Sequence, residues 1–363
     1  MSTAARPPDG HAPATAAGAV RQRNSAFVHA ADGRARRRLD LSLALLSLAF
    51  AVCGLISGSD GWSLAALRDP SLHEVVWQIR APRVVGAWLA GCLLALAGAI
   101  AQGLFRNPLA DPYLLGTSAG AGLGVVLVLA AGSLGGGHGI ALMGADLLGR
   151  LGLVGVAFGG ALAGMTLTLL LARGAQRTTG LLLAGVVVGV VFGAIADMLT
   201  MLAPDALRGK QAFMLGTTGF LGWSSCAALA AGLALALPLA MRLSRALDAL
   251  TLGEDTARSL GLALPRLRLG LVVLLALATG VAVAQTGLVA FVGLVAPHLV
   301  RHRVRATHGY LLLASSATGG ALLLASDVIA RSLLAPEELP VGVVTAVLGG
   351  SYLLWLMRQR SSG

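Results

Sequence analysis

The run VVGAWLAGCLLALAGAIAQGLF, from Val84 to Phe105, passes 22 residues without a formal charge. Its length decides the fold. A bilayer core of ~30 Å is crossed by about 20 apolar residues in a helix, and in lipid each backbone amide must find its partner within that helix. Working outward, comparable stretches fall at residues 41–57, 114–132, 151–172, 180–202, 226–242, 268–285, 287–300, 310–331 and 341–357, the one at 287–300 being the shortest. The chain therefore reads as an all-α membrane protein of ten transmembrane helices.

Composition points the same way, because 56% hydrophobic and only 12% charged residues exceed what a water-soluble core of 363 residues needs. A net charge of +11 raises the question of nucleic acid, but the positive residues are sorted by loop rather than gathered on one basic face. With the amino terminus in the cytosol, 20 of the 27 Arg and Lys lie in the inner loops and tails, and seven lie outside. Leaving out the first tail still sets 13 against seven, so the positive-inside bias puts both termini in the cytosol.

Residues 1–37 are rich in Ala, Pro, Gly and Arg and have no apolar period. They are expected to form a disordered basic cytosolic tail ahead of a membrane domain at 38–363. So long a lead is more than a simple secretory signal carries, which favours a retained first span. Cys53, Cys92 and Cys226 all sit in apolar runs without a Cys-x-x-Cys spacing, as small buried hydrophobes do.

No phosphate-binding loop surrounds Lys210, so ATP chemistry is not expected in this chain. Gly116, Gly120, Gly122 and Gly124 imitate a dinucleotide fingerprint that fails at Val125; small residues four apart instead let two membrane helices approach closely. His298 and His302 are four apart, as two metal ligands on one helical face would be, but no third ligand accompanies them, and they adjoin Arg301, Arg303 and Arg305 at the cytosolic interface. Trp62, Trp77, Trp88, Trp223 and Trp355 fall mostly near span ends, where tryptophan anchors helices at the headgroups. No nucleophile, metal cluster or carboxylate pair shares one depth, so a membrane enzyme is disfavoured.

Carboxylates within spans would mark a proton-coupled secondary carrier, the alternative function. Two qualify. Asp197 lies about one turn from the outer end of its span, and Asp327 precedes Arg331 by four residues, the spacing of a helical ion pair. Neither continues into a chain of acids, so capped or paired carboxylates account for both.

The outer side carries Arg80 and Arg83 around Pro82 at a helix start, where helix dipole and topology both disfavour positive charge, and Arg331 at another span end. Each alone could snorkel to lipid phosphate; three together favour an acidic partner surface. On the inner side, residues 252–262 read LGEDTARSLGL. Glu254 and Asp255 open the turn, Arg258 follows Glu254 by four, Ala257 and Leu260 share a side, and Gly261 ends the helix. Too short to stand alone, this helix is expected in a groove of another protein rather than on anionic lipid.

From first span to last the chain resembles the permease subunits of bacterial ABC importers for cobalamin, haem and iron siderophores. The resemblance is carried by WQIRAPRVV at 77–85, LFRNPLADPYLLGTSAGAGLG at 104–124, LLLAGV at 181–186, LGEDTARSLGL at 252–262, GLVAFVGLVAPHLVR at 287–301, and SDVIAR with ELPVGVVTAVLG at 326–349. It implies the type II ABC importer permease fold, a homodimer in the bacterial inner membrane, two cytosolic ATPase subunits that carry ATP and magnesium, and a periplasmic substrate-binding protein. This chain would bind no cofactor or metal itself and would move haem foremost, or a ferric siderophore or cobalamin, from periplasm to cytoplasm by alternating access.

Residue by residue, Arg80, Arg83 and Arg331 match positions that receive acids of the binding protein. Leu252, Gly253, Glu254, Asp255, Ala257, Arg258, Leu260 and Gly261 match the coupling segment seated in the ATPase. Asn107 and Leu109, with Thr178 and Thr179, match loops that close the cytoplasmic gate. Ala81 departs from the larger apolar residue expected before the proline, and the segment Phe213 to Trp223 falls in a variable outer region near the entrance.

Overall fold

The computed structural model describes residues 14–58, 61–62, 72–134, 147–172 and 178–361. These form helices α1 (Ala14–Ile56), α2 (His73–Phe105), α3 (Thr117–Leu134), α4 (Leu147–Leu171), α5 (Thr178–Leu202) and α6 (Asp205–Leu215). Then come α7 (Trp223–Thr251), α8 (Glu254–Ser259), α9 (Leu264–Thr286), α10 (Val292–Arg303), α11 (His308–Ser332) and α12 (Val341–Ser361). A two-residue hairpin, Ser57–Gly58 against Gly61–Trp62, follows α1.

The run quoted first is the hub of the bundle. From Ala81 to Leu104 nearly every residue of α2 is buried, and α11, α9, α7 and α10 pack around it. Close approach of α2 to its neighbours depends on glycine: a Cβ on Gly98 would stand 1.8 Å from the Gly293 carbonyl of α10. The same logic holds for α3 and α4, where a Cβ on Gly120 would meet the Gly160 carbonyl at 2.1 Å. The glycines that imitate a nucleotide motif therefore serve helix packing.

Among the described residues, eight helices are long and apolar enough to cross a membrane, so the expected count of ten is not reproduced by length and composition. The other two expected spans are α3, with 18 residues, and α10, with 12. At ~1.5 Å per residue α10 covers only about 18 Å. Its limits are set by Phe291 in a left-handed turn at φ 68° and by Arg301, His302 and Arg303 in its last turn.

Further differences lie at helix ends. α1 takes in residues 14–37 of the expected tail, carrying helical backbone farther toward the amino terminus than the missing apolar period implies. α2 starts at His73, eleven residues ahead of the apolar run, through a π-helical turn at Val76–Arg80. α7 continues past residue 242 to Thr251. The helix α6 occupies the connection between α5 and α7, where no element was expected; its Lys210 pairs with Asp197 of α5.

Candidate functional site

Two groups of charged side chains lie 23 residues apart along α2, around Arg83 toward its start and around Arg106 just past its end. In the first, Arg83 donates from Nε to Asp327 Oδ1 at 2.9 Å, and from Nη1 to both carboxylate oxygens of Glu338 at 2.9 and 2.8 Å. Asp327 on α11 is fully buried and takes two further bonds, from Arg331 Nη2 at 2.7 Å and from the Thr218 hydroxyl at 2.5 Å. Glu338, on the turn between α11 and α12, is the exposed member, with 43% of its side chain open to solvent.

The outer arginines also finish α1. Arg331 Nη1 donates to the Gly54 carbonyl at 3.0 Å, and Arg80 Nη1 to the Leu55 carbonyl at 3.0 Å. The last carbonyls of a helix lack intrahelical donors and carry its negative end, so guanidinium groups suit them. Because α2 begins at His73, Arg80 and Arg83 lie beyond its first turn rather than at a helix start, and the positive charge of Arg80 and Arg331 is stabilised by the end of α1. Arg83 and Arg331 are only 8% and 4% exposed and half-buried Arg80 caps a neighbour, so all three have partners inside the chain.

At the other end of α2, Arg106 adopts a left-handed backbone at φ 50°, a position that glycine usually takes. Its guanidinium lies 3.7 Å from Glu254 of α8. Glu254 also meets Arg258, one turn on, at 3.6 Å, and Arg268 of α9 at 2.5 Å. Arg268 is 2% exposed, the largest fully buried side chain among the described residues.

The expected coupling segment is therefore a helix with two unlike sides. Ala257 is buried and Glu254 turns toward the arginines, while Leu252 and Leu260 are 66% and 63% exposed beside the open side chains of Asp255 and Arg258. Gly253 and Gly261 bracket α8 with φ of 108° and 80°, values that L side chains rarely adopt.

Near this end, Asn107 and Leu109 are exposed, the Asn107 side chain accepting the Leu109 amide at 2.9 Å. Asp111 then accepts the Tyr113 amide at 2.8 Å, capping the turn that leads to α3, and burial raises its pKa to about 6 against that bond's opposing pull. Thr178 and Thr179 form the start of α5. His308, at the start of α11, donates its amide to Asp248 of α7 at 2.9 Å, with its ring Nδ1 at 2.7 Å from the same oxygen.

Both span carboxylates have cationic partners, Asp197 in Lys210 and Asp327 in two arginines. His298 stands edge-on to Tyr352 at 5.7 Å and His302 is exposed. The sequence reading found Arg80, Arg83, the Asp327–Arg331 pair and the Glu254 helix with its Arg258. It missed Glu338, Thr218, Arg106 and Arg268. Arg268 left a weak signal, a second charge two residues beyond Arg266 at the start of an apolar span.

A bundle of membrane-length helices with an ion-paired cluster toward one side and a short, half-exposed helix toward the other suits a membrane transport protein. Residues 40–359 match the FecCD transport family, and the chain belongs to it. The hemin transport system permease protein HmuU of Yersinia pestis is 39% identical over 339 residues, covering 91% of this chain and 98% of that protein. The vitamin B12 import system permease protein BtuC of Salmonella paratyphi A is 38% identical over 323 residues, 87% of this chain and 94% of its own.

Among solved structures, an inward-facing conformation of a metal-chelate type ABC transporter aligns with a TM-score of 0.76 at 27% identity, over 89% of this chain and 99% of that one. The protein is thus a permease subunit of a bacterial ABC importer, with ATP hydrolysis on a separate subunit and a substrate-binding protein as a further partner. Membership of that class implies the inner membrane.

Proposed function

We propose that two copies of this chain form the pathway of an ATP-driven importer that carries haem from periplasm to cytoplasm, with both termini cytosolic. The observation that carries the reading is the contrast between the charged groups at Arg83 and at Arg106, about 35 Å apart along 23 residues of α2. The inner end offers α8, whose exposed Leu252 and Leu260 suit a groove in the ATPase subunit. The outer end offers Arg80 and the network of Arg83, Arg331 and Glu338 to an acidic surface of the binding protein. Asn107, Leu109, Thr178 and Thr179 then fall at the inner mouth as the cytoplasmic gate, and residues 1–37 form a basic cytosolic extension.

Haem is favoured over a ferric siderophore or cobalamin because the hemin permease of Yersinia pestis aligns along 98% of its length. Closure of the ATPase subunits would draw α8 with them and rock the packed helices between outward-open and inward-open states. The test is reconstitution of this chain with its ATPase and binding protein in liposomes, followed by uptake of haem, ferric siderophore and cobalamin. ATP-dependent haem uptake is expected. Uptake that needs no ATPase would overturn the importer reading, and uptake of cobalamin in place of haem would overturn the cargo.

A further inference from the structure

We infer that the Glu254–Arg268 pair is a tether that makes α9 follow α8, so that displacement of the short helix is delivered into the bundle instead of being absorbed at its joints. The inference rests on the reading above that an ATPase subunit grips α8. Both α8 ends are glycines with positive φ, and its one buried side chain is the methyl of Ala257, contacts that alone would let the helix swivel. Glu254 supplies the link as an ion pair, its Oε1 at 2.5 Å from Nη2 of the buried Arg268.

Separating that pair would draw a carboxylate away from a guanidinium buried in the bundle, which is unfavourable, so α9 moves with α8 before the pair parts. Arg106 and Arg258, at 3.7 and 3.6 Å, flank the same carboxylate from α2 and from α8 itself and hold it in line.

The far end of α9 shows where the motion goes. The Thr286 carbonyl accepts the Thr217 amide at 2.8 Å, and the next residue, Thr218, donates its hydroxyl to Asp327. One helix of 23 residues thus runs from the Glu254 clasp to the backbone that completes the outer network. Glu254 and Arg268 are positioning residues in this scheme, acting through α9 and touching no cargo.

The experiment compares Glu254→Gln and Arg268→Met with the unaltered chain, each purified with its ATPase and binding protein and reconstituted in liposomes. In Arg268→Met, ATP turnover is expected to stay within about twofold while substrate moved per ATP falls about tenfold or more, and in Glu254→Gln substrate moved per ATP is expected to fall by a similar factor. Arg268→Lys, which keeps the charge without the planar fork, should recover part of that ratio. In the isolated chain, hydrogen exchange should quicken in the first turn of α9 in Glu254→Gln with the middle of α2 unchanged.

An unchanged transport-to-ATP ratio in both variants would overturn the tether. So would loss of bound ATPase in proportion to lost transport, which would assign Glu254 to docking. So would unaltered exchange in α9. If the unaltered chain retains no ATPase subunit, the importer reading fails first, and the exchange measurement still reports whether α8 and α9 are linked.

Discussion

The two ends of α2 spend charge in opposite ways. At the outer end two arginines meet two carboxylates, and Asp327, wholly buried, holds both arginines and a hydroxyl. At the inner end three arginines share one carboxylate, Glu254, whose side chain is 28% exposed, on a helix jointed by glycines. The first arrangement fixes α1, α2 and α11 to one another. The second leaves a handle held to its neighbours through one partly exposed carboxylate. Rigidity and mobility are thus assigned to opposite ends of the same helix by how completely each guanidinium is matched.

The comparison breaks most sharply at Asp327. Asp327→Ala leaves Arg83 and Arg331 buried without their shared carboxylate and should lower folding stability by about 3–5 kcal/mol. The loss should be read as a fall in the melting temperature of the detergent-solubilised protein. A small effect would mean that the outer network is not the fixed end.

At the inner end the reverse holds. Leu260→Glu touches an exposed side chain, so stability should change by no more than about 0.5 kcal/mol, while affinity for the ATPase subunit should fall by about 2 kcal/mol. Co-purification and titration of the ATPase onto the permease measure the second effect. Equal retention of the ATPase by both proteins would remove α8 from the interface.

How much of this was legible in the sequence follows from the same contrast. Apolar length alone located eight membrane-crossing helices, since lipid leaves the backbone no other partner. It missed the short α6 and overestimated α10, whose limits depend on the turn at Phe291. The ion pair of Asp327 with Arg331 was readable because both lie on one helix. The pairs Arg83–Glu338 and Glu254–Arg268 were not, because they join elements 255 and 14 residues apart whose meeting depends on packing. Exposure was misjudged for the same reason: a single sequence shows that Arg83 stands just ahead of an apolar run, but not that α11 brings an acid to it.

A smaller effect tests the inner end by pH. Burial raises the Asp111 pKa to about 6, so the folded chain holds the proton more readily than the unfolded chain does. Stability from this group is therefore greatest at low pH and falls as pH rises from about 4 to about 6, then stays level. Asp111→Asn keeps an oxygen for the Tyr113 amide and removes the titration. Between pH 5 and pH 7 the unaltered chain should lose about 1 kcal/mol relative to this variant. Parallel melting curves across that range would show that burial does not hold the carboxyl as described.

The least perturbing change, Glu338→Gln, separates the two roles that the outer end combines. Glu338 is the exposed carboxylate on Arg83, while Asp327 remains to hold the Nε edge, so stability should fall by no more than about 1 kcal/mol. Its effect on docking has the opposite sign. Glu338 accepts from Arg83 Nη1 with both carboxylate oxygens, where a carboxylate of a partner would have to sit. With that charge gone, an acidic binding protein should associate more tightly and with a steeper dependence on salt, measured by titration onto the permease in nanodiscs. A brace that merely shapes the turn between α11 and α12 would instead weaken association. The sign of the change therefore decides whether Arg83 belongs only to the fixed end of the molecule or also to its outer interface.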